Sequence, residues 1–205
     1  MLTSNSGKSS LLLTLFRLLE IDSGTIVIDG LDLQTVSRDV IRERLIAIPQ
    51  DPFILSGSVR MNADPSGTST DASIVSALTK VQLWASMEAR GGLDADMQSQ
   101  PLSHGQQQLF CQARVMLGRR RSSILVLDEA TSNVDAETDR TMQRIVREEF
   151  ASHTIITVAH RLDSIVDSDV VAVLNEGRLV EWGPPRELLG RPSLFRDLHG
   201  GVGSM

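Results

Sequence analysis

Apolar residues recur along this chain in two rhythms, one suited to helices and one to buried strands. Over residues 7–20, Leu11, Leu12, Leu15, Phe16, Leu18 and Leu19 form a broad apolar face at helical spacing. A short run at 25–28 reads as a strand, and Asp29-Gly30 after it as a turn. Residues 38–44 read as a short charged helix and 45–48 as a buried strand; Pro49 stops that strand and leaves Gln50 on a loop. Between about 58 and 118 no run reads as a parallel strand. Residues 70–80 and 83–90 are helical in pattern, Gly91-Gly92 breaks the second, and 106–117 is a third helix with Leu109, Phe110, Ala113 and Leu117 at helical spacing. The alternation then returns, with strands at 124–127, 154–158 and 169–174 and helices at 136–149 and 162–166. A final strand at 179–182 and a helix opened by Pro184-Pro185 follow. Strands alternating with helices predict a parallel, layered α/β core interrupted by an all-helical insert.

Composition narrows the classes. The 205 residues fit one domain, or one domain with a subdomain, and 41% hydrophobic with 22% charged residues suit a globular chain. A net charge of −6 gives no electrostatic reason to expect nucleic acid as a partner. The single cysteine, Cys111, excludes an internal disulfide framework, suits a reducing cytosol, and reads as a small core residue on a helix. No apolar run approaches the ~18–20 residues that a bilayer span requires, and no signal-peptide pattern is visible at the amino end. Four histidines and one cysteine form no zinc-site spacing. Met87, Met97, Met116 and Met142 read as core or surface fillers rather than ligands, and Arg119-Arg120-Arg121 as a solvated turn.

Two segments carry chemistry. Ser6-Gly7-Lys8-Ser9-Ser10 matches the end of a G-x-x-x-x-G-K-[ST] loop. There, glycine lets backbone N–H groups face phosphate oxygens, Lys8 brings charge to the β and γ phosphates, and Ser9 offers a hydroxyl to Mg²⁺. The following helix adds its positive N-terminal end. Ile124-Leu125-Val126-Leu127-Asp128-Glu129 is an apolar strand ending in paired carboxylates. Asp128 is placed to orient Mg²⁺ and Glu129 to polarise an attacking water, which is what phosphoryl transfer asks of a protein. A helix-capping acid after a strand is the plainer reading of Asp-Glu, and the Asp-Glu-Ala-Thr-Ser context weighs against it.

Leu102-Ser103-His104-Gly105-Gln106 is the rarer signal. With Gln50, Asp135 and His160 in order around these motifs, the chain resembles the nucleotide-binding domain of an ATP-binding cassette (ABC) transporter, from residue 1 to about residue 199. The resemblance implies a RecA-like P-loop NTPase core over 1–56 and 119–205, with a helical, signature-bearing subdomain over 57–118. It also implies ATP and Mg²⁺ as ligands. Ser6, Gly7, Lys8, Ser9, Ser10 and Gln50 would bind the nucleotide, with Ser9, Gln50 and Asp128 near the metal and Glu129 and His160 catalytic. Ser103, Gly105, Gln106 and Asp135 would act across to a second cassette, capping the γ-phosphate held by that cassette's P-loop. Asp135 has a plainer reading as a helix N-cap, and His160 as a solvated histidine after a strand.

His104, where many family members carry glycine, and Gln50-Asp51-Pro52-Phe53-Ile54-Leu55-Ser56-Gly57-Ser58-Val59-Arg60 resemble the second cassette of C-subfamily, multidrug-resistance-associated transporters. That similarity implies a head-to-tail partner cassette of non-identical sequence, transmembrane domains elsewhere, and a place on the cytoplasmic face of a membrane. The chain departs from the family at Leu2 and Asn5, where glycines are usual. The strand and the adenine-stacking aromatic expected upstream are absent from it, so it reads as N-terminally truncated, with core strands missing. Two further readings stay open on these residues: a non-catalytic ABC fragment serving as an interaction module, and a soluble ABC ATPase without membrane partners.

Overall fold

The first helix ends sooner than its leucines suggest. Helix α1 (Lys8–Leu15) stops at Phe16, and Arg17 takes a left-handed backbone with φ 50°. The Arg17 N–H donates to the Thr14 carbonyl (3.0 Å) and the Leu18 N–H to the Leu13 carbonyl (2.8 Å), a Schellman closure. An arginine tolerates that backbone because its guanidinium donates to the carbonyls of Val36 (2.7 Å) and Leu33 (3.3 Å). The expected helix over 7–20 is thus corrected to one ending at Leu15, and its broad apolar face is not a core face. Leu12 is buried, whereas Leu11, Leu13, Leu18 and Leu19 are exposed.

These features come from a computed structural model that describes residues 7–128, 130, 134–159 and 162–200. Strands β1 (Val27–Ile28) and β2 (Leu31–Asp32) form a hairpin whose turn residues, Asp29 and Gly30, have φ 52° and 81°. Two left-handed turn residues match the twist of a tight hairpin. Helix α2 (Arg38–Arg44) and strand β3 (Leu45–Ile48) fall where the pattern placed them. The middle segment holds α3 (Val59–Ala63), α4 (Asp71–Lys80), α5 (Trp84–Ala89) and α6 (His104–Gly118). Helix α3 is too short to show a period; its start is marked by Ser58, whose Oγ accepts from the Met61 N–H (3.2 Å).

Strand β4 (Ile124–Asp128) pairs in parallel with β3, from Leu45 opposite Ile124 to Ile48 opposite Leu127. After α7 (Ala136–Glu149), strand β5 (Thr154–Val158) extends the sheet in the order β3-β4-β5. Strands β6 (Val171–Asn175) and β7 (Arg178–Gly183) depart from the parallel expectation and pair antiparallel. Only Glu176 and Gly177 join them, both with positive φ, and a two-residue link permits no crossover. Helices α8 (Pro185–Leu189) and α9 (Leu194–His199) follow.

The chain divides into two compact units, one of the described residues up to Arg42 and from Thr157 onward, the other of Glu43–Ile156. In the second, Ile48, Leu78, Met87, Phe110, Leu125 and Phe150 belong to one apolar core, which Met97, Met116 and Met142 join. Cys111 is a buried free thiol whose pKa burial pushes up. Arg119 is more than a solvated turn residue, since it pairs with Glu149 at 3.2 Å. In the first unit, Val171, Val173, Leu188 and Phe195 pack together, and the Glu181 carboxylate accepts from the N–H groups of Leu194 (2.7 Å) and Phe195 (3.0 Å).

Phe110→Ala should destabilise the protein by about 3–5 kcal/mol in urea unfolding, because its ring is fully buried. Asp64 supplies a second prediction. Burial pushes its carboxyl up, but hydrogen bonds from the Ser66 hydroxyl, the Ser69 N–H and the Ser66 N–H outweigh this and bring its pKa to about 2 from 3.8. A depressed carboxylate adds stability above its unfolded pKa and loses it as pH falls through the folded value. The stability gap between wild type and Asp64→Asn should therefore be complete above about pH 4 and close as pH falls toward 2. A gap independent of pH would contradict this.

Candidate functional site

The signature segment is built as a helix cap. Ser103 sits in extended backbone, its Oγ accepts from the Gln106 N–H (3.3 Å), and Gln106 Oε1 accepts from the Ser103 N–H (3.0 Å). This capping box consumes both side chains and fixes the first turn of α6. The early N–H groups of His104 and Gly105 have no intrahelical acceptor, and the helix dipole adds positive potential there. Gly105 has an ordinary helical backbone, and a methyl group on it would meet Thr138 Oγ1 at 3.4 Å and Asp135 Oδ2 at 3.8 Å, ordinary contact distances. Among the described residues nothing requires glycine at this position.

The same contacts bring the start of α7 against the start of α6. Asp135 is the N-cap of α7: its Oδ1 accepts from the N–H groups of Glu137 and Thr138 (3.0 Å each), and its Oδ2 from Thr138 Oγ1 (2.7 Å). The Thr138 backbone and side-chain hydrogen bonds lower its pKa, so it stays ionised. The plainer reading of Asp135 as a cap therefore holds, and it places a fixed carboxylate beside Gly105.

Because β3 and β4 run in parallel with Ile48 opposite Leu127, Asp128, the last residue of β4, and Gln50, just past the end of β3, lie at the same carboxyl edge of the sheet. Ligands of open α/β sheets bind outside such edges. Gln50 is exposed and Asp128 half-buried. The Gln50 backbone is held from α6: Gln108 Nε2 donates to the Gln50 carbonyl (2.7 Å) and the Pro49 carbonyl (3.3 Å). Within Glu43–Ile156, then, Ser103, Gly105, Gln106 and Asp135 are gathered at one place, and Gln50 is tied to the helix that begins there. Gln108 and Thr138 were not singled out in the sequence. A glutamine between the core positions of a helix was the available signal for Gln108.

In the other unit, Gly7 is the left-handed N-cap of α1 with φ 88°, and a Cβ on it would lie 3.3 Å from the Gly177 Cα. Glycine is required there twice over, by backbone angle and by close approach. No side chain among the described residues caps Gly7, and the first intrahelical bond runs from Leu11 to the Gly7 carbonyl (2.9 Å). The N–H groups of Lys8, Ser9 and Ser10 thus precede the helix ladder, an arrangement suited to phosphate. Ser9 and Ser10 are exposed. Ser6, Glu129 and His160 lie outside the described residues.

Among the described residues no group of three or more His, Cys, Asp or Glu side chains could hold a metal ion. The donors assigned from sequence, the Ser9 hydroxyl, the Gln50 carboxamide and the Asp128 carboxylate, are all oxygens. Oxygen is the donor class that Mg²⁺ takes, usually as one or two protein carboxylates with phosphates and water. No helix among the described residues is long and apolar enough to cross a membrane.

The two glycines predict opposite outcomes in denaturant unfolding. Gly7→Ala should lose about 1–2 kcal/mol, the cost of forcing a Cβ into left-handed backbone. Gly105→Ala should keep its stability or gain up to about 1 kcal/mol, the usual helix preference for alanine. A destabilised Gly105→Ala would mean that this glycine serves the chain's own packing.

Residues 3–132 match the family model described as ABC transporter. ABC multidrug transporter B of Aspergillus fumigatus is 50% identical over 186 residues, covering 91% of this chain and 13% of that protein. Human ATP-binding cassette sub-family C member 2 is 46% identical over 195 residues, covering 94% of this chain and 12% of that protein. A solved bacterial Atm1-family ABC exporter with ATP bound superposes with a TM-score of 0.88 at 29% identity, over 99% of this chain and 36% of that one. The chain thus spans only 12–13% of the length of these curated relatives. Its motifs, its parallel β3–β4 pair and its helical middle segment are accounted for together: this chain belongs to the ABC transporter family, as a nucleotide-binding domain.

Proposed function

We propose that the chain binds and hydrolyses ATP to power export, as one cassette of a head-to-tail pair attached to transmembrane domains at the cytoplasmic face of a membrane. The observation that carries this reading is the junction at Gly105, where a capped helix start and the fixed Asp135 carboxylate meet around a glycine that the chain's own packing does not need. Such a surface suits a phosphate brought in by another subunit. Among the relatives that match, one is named as a multidrug transporter and another as a sub-family C member, which supports a C-subfamily-like cassette paired with a non-identical partner.

In this reading, Ser6, Gly7 and the N–H groups of Lys8, Ser9 and Ser10 cradle the phosphates of the bound ATP, and Lys8 adds charge. Ser9, Gln50 and Asp128 would hold Mg²⁺, which when bound neutralises charge on the β- and γ-phosphate oxygens. Glu129 orients the attacking water and takes its proton, and His160 contacts the γ-phosphate. Ser103, Gly105, Gln106 and Asp135 complete the partner cassette's site. The helical subdomain over 57–118 carries the signature, and 1–56 with 119–205 form the core.

In a transporter containing this cassette, Lys8→Ala should weaken ATP binding roughly 10- to 100-fold, the worth of a charge-assisted hydrogen bond. Glu129→Gln should leave binding nearly unchanged and cut turnover by about 10²-fold or more, as loss of a general base does. Undiminished binding in the first variant, or full turnover in the second, would overturn the corresponding assignment.

A further inference from the structure

One buried side chain of α6 is poorly suited to the core it occupies. Gln108 is 1% exposed and lies beside Leu109 and Phe110, both core residues. Its Nε2 donates to the carbonyls of Gln50 and Pro49, while its Oε1 is buried without a hydrogen-bond partner among the described residues. An orphaned buried acceptor is unfavourable, and an apolar residue of the same length would avoid it. The two bonds it does make are specific, because Pro49 ends the ladder of β3 and the carbonyls beyond it need donors from elsewhere.

Gln112, four residues further along α6, repeats the arrangement. It is fully buried, its Nε2 donates to the Met142 carbonyl of α7 (2.9 Å), and its Oε1 has no partner among the described residues. Two buried carboxamides on one stripe of α6 therefore grip two different neighbours by their main chains. Gln112 holds the helix whose N-cap is Asp135; Gln108 holds the loop that bears Gln50. Gln108 lies little more than one helical turn from Ser103 and Gly105, within a helix stiffened by its surrounding core.

We infer that Gln108 is a positioning residue that couples the Gln50 loop to the signature end of α6, so that displacement of the Pro49–Gln50 backbone carries Ser103 and Gly105 with it. The coupling is a property of Glu43–Ile156 alone; its use in an ATP cycle rests on the proposed function. Gln50 can change its own side-chain contacts without breaking the tether, because Gln108 bonds only its backbone.

Hydrogen–deuterium exchange of the whole chain tests this without requiring turnover. In Gln108→Met, amides of residues 50–54 and 103–107 should exchange about tenfold faster, the effect of losing ~1.4 kcal/mol of local stability, while β4 and α7 keep their protection. Gln112→Met should leave residues 50–54 at the wild-type rate. With Mg-ATP added, the two segments should gain protection at a common nucleotide concentration in wild type and at separate concentrations in Gln108→Met. Unchanged exchange at residues 50–54 in Gln108→Met would overturn the tether. So would faster exchange throughout α4, α6 and α7 with a lowered unfolding midpoint, which would mark a packing residue. If ATP protects neither segment in wild type, the nucleotide reading of this chain fails, while the nucleotide-free comparison still decides the coupling.

Discussion

Helix α6 is buried without interruption from Gln108 to Ala113, and the arrangement of Glu43–Ile156 follows from that burial. A helix enclosed on all sides cannot direct its polar residues to water, so each must find a partner inside. Gln108 and Gln112 do so by reaching main-chain carbonyls of Gln50 and Met142, and the Arg114 Nε donates to the Asn62 carbonyl (2.7 Å) with its guanidinium over the Phe53 ring. The helix thereby becomes a fixed axis to which a loop, a neighbouring helix and α3 are bonded. Its N-terminus, by contrast, stays accessible, with Ser103 and His104 exposed. In the proposed reading, a rigid body ending in unladdered N–H groups would serve as a preorganised anion site, because the donors need no reordering when a ligand arrives.

Gly7 and Gly105 show how differently the same residue type can be required. At Gly7 the chain itself demands it, through a left-handed angle and the closeness of Gly177. At Gly105 the chain makes no such demand. In the proposed reading, such a glycine leaves room for an external partner, the phosphate of a nucleotide on another cassette. Asp135 combines both kinds of requirement: it caps α7, and the same cap holds its carboxylate ionised and immobile beside Gly105.

Much of this was legible in the residues because the relevant signals are local. The apolar runs at 45–48 and 124–127, the Asp29-Gly30 turn and the break at Gly91-Gly92 each follow from a few neighbouring side chains. What escaped depends on distant ones. Helix α1 ends at Leu15 because Arg17 reaches the carbonyls of Leu33 and Val36, a contact no periodicity encodes. Strands β6 and β7 look like two more members of an alternating series until their two-residue link is noticed. Gln108 reads as an ordinary helix former, since its meaning lies in a loop 58 residues away. In the site, Glu129 and His160 are proposed from sequence pattern alone.

The central claim is that the start of α6 meets nucleotide held by a second cassette. His104 is exposed at that start, and Cys111 is buried, so His104→Cys offers a single reactive thiol on this chain. Paired with a cysteine placed in the P-loop of the partner cassette within an assembled transporter, it should form a cross-link only when Mg-ATP is present. Cross-linking that ignores ATP, or none at saturating nucleotide, would contradict the account.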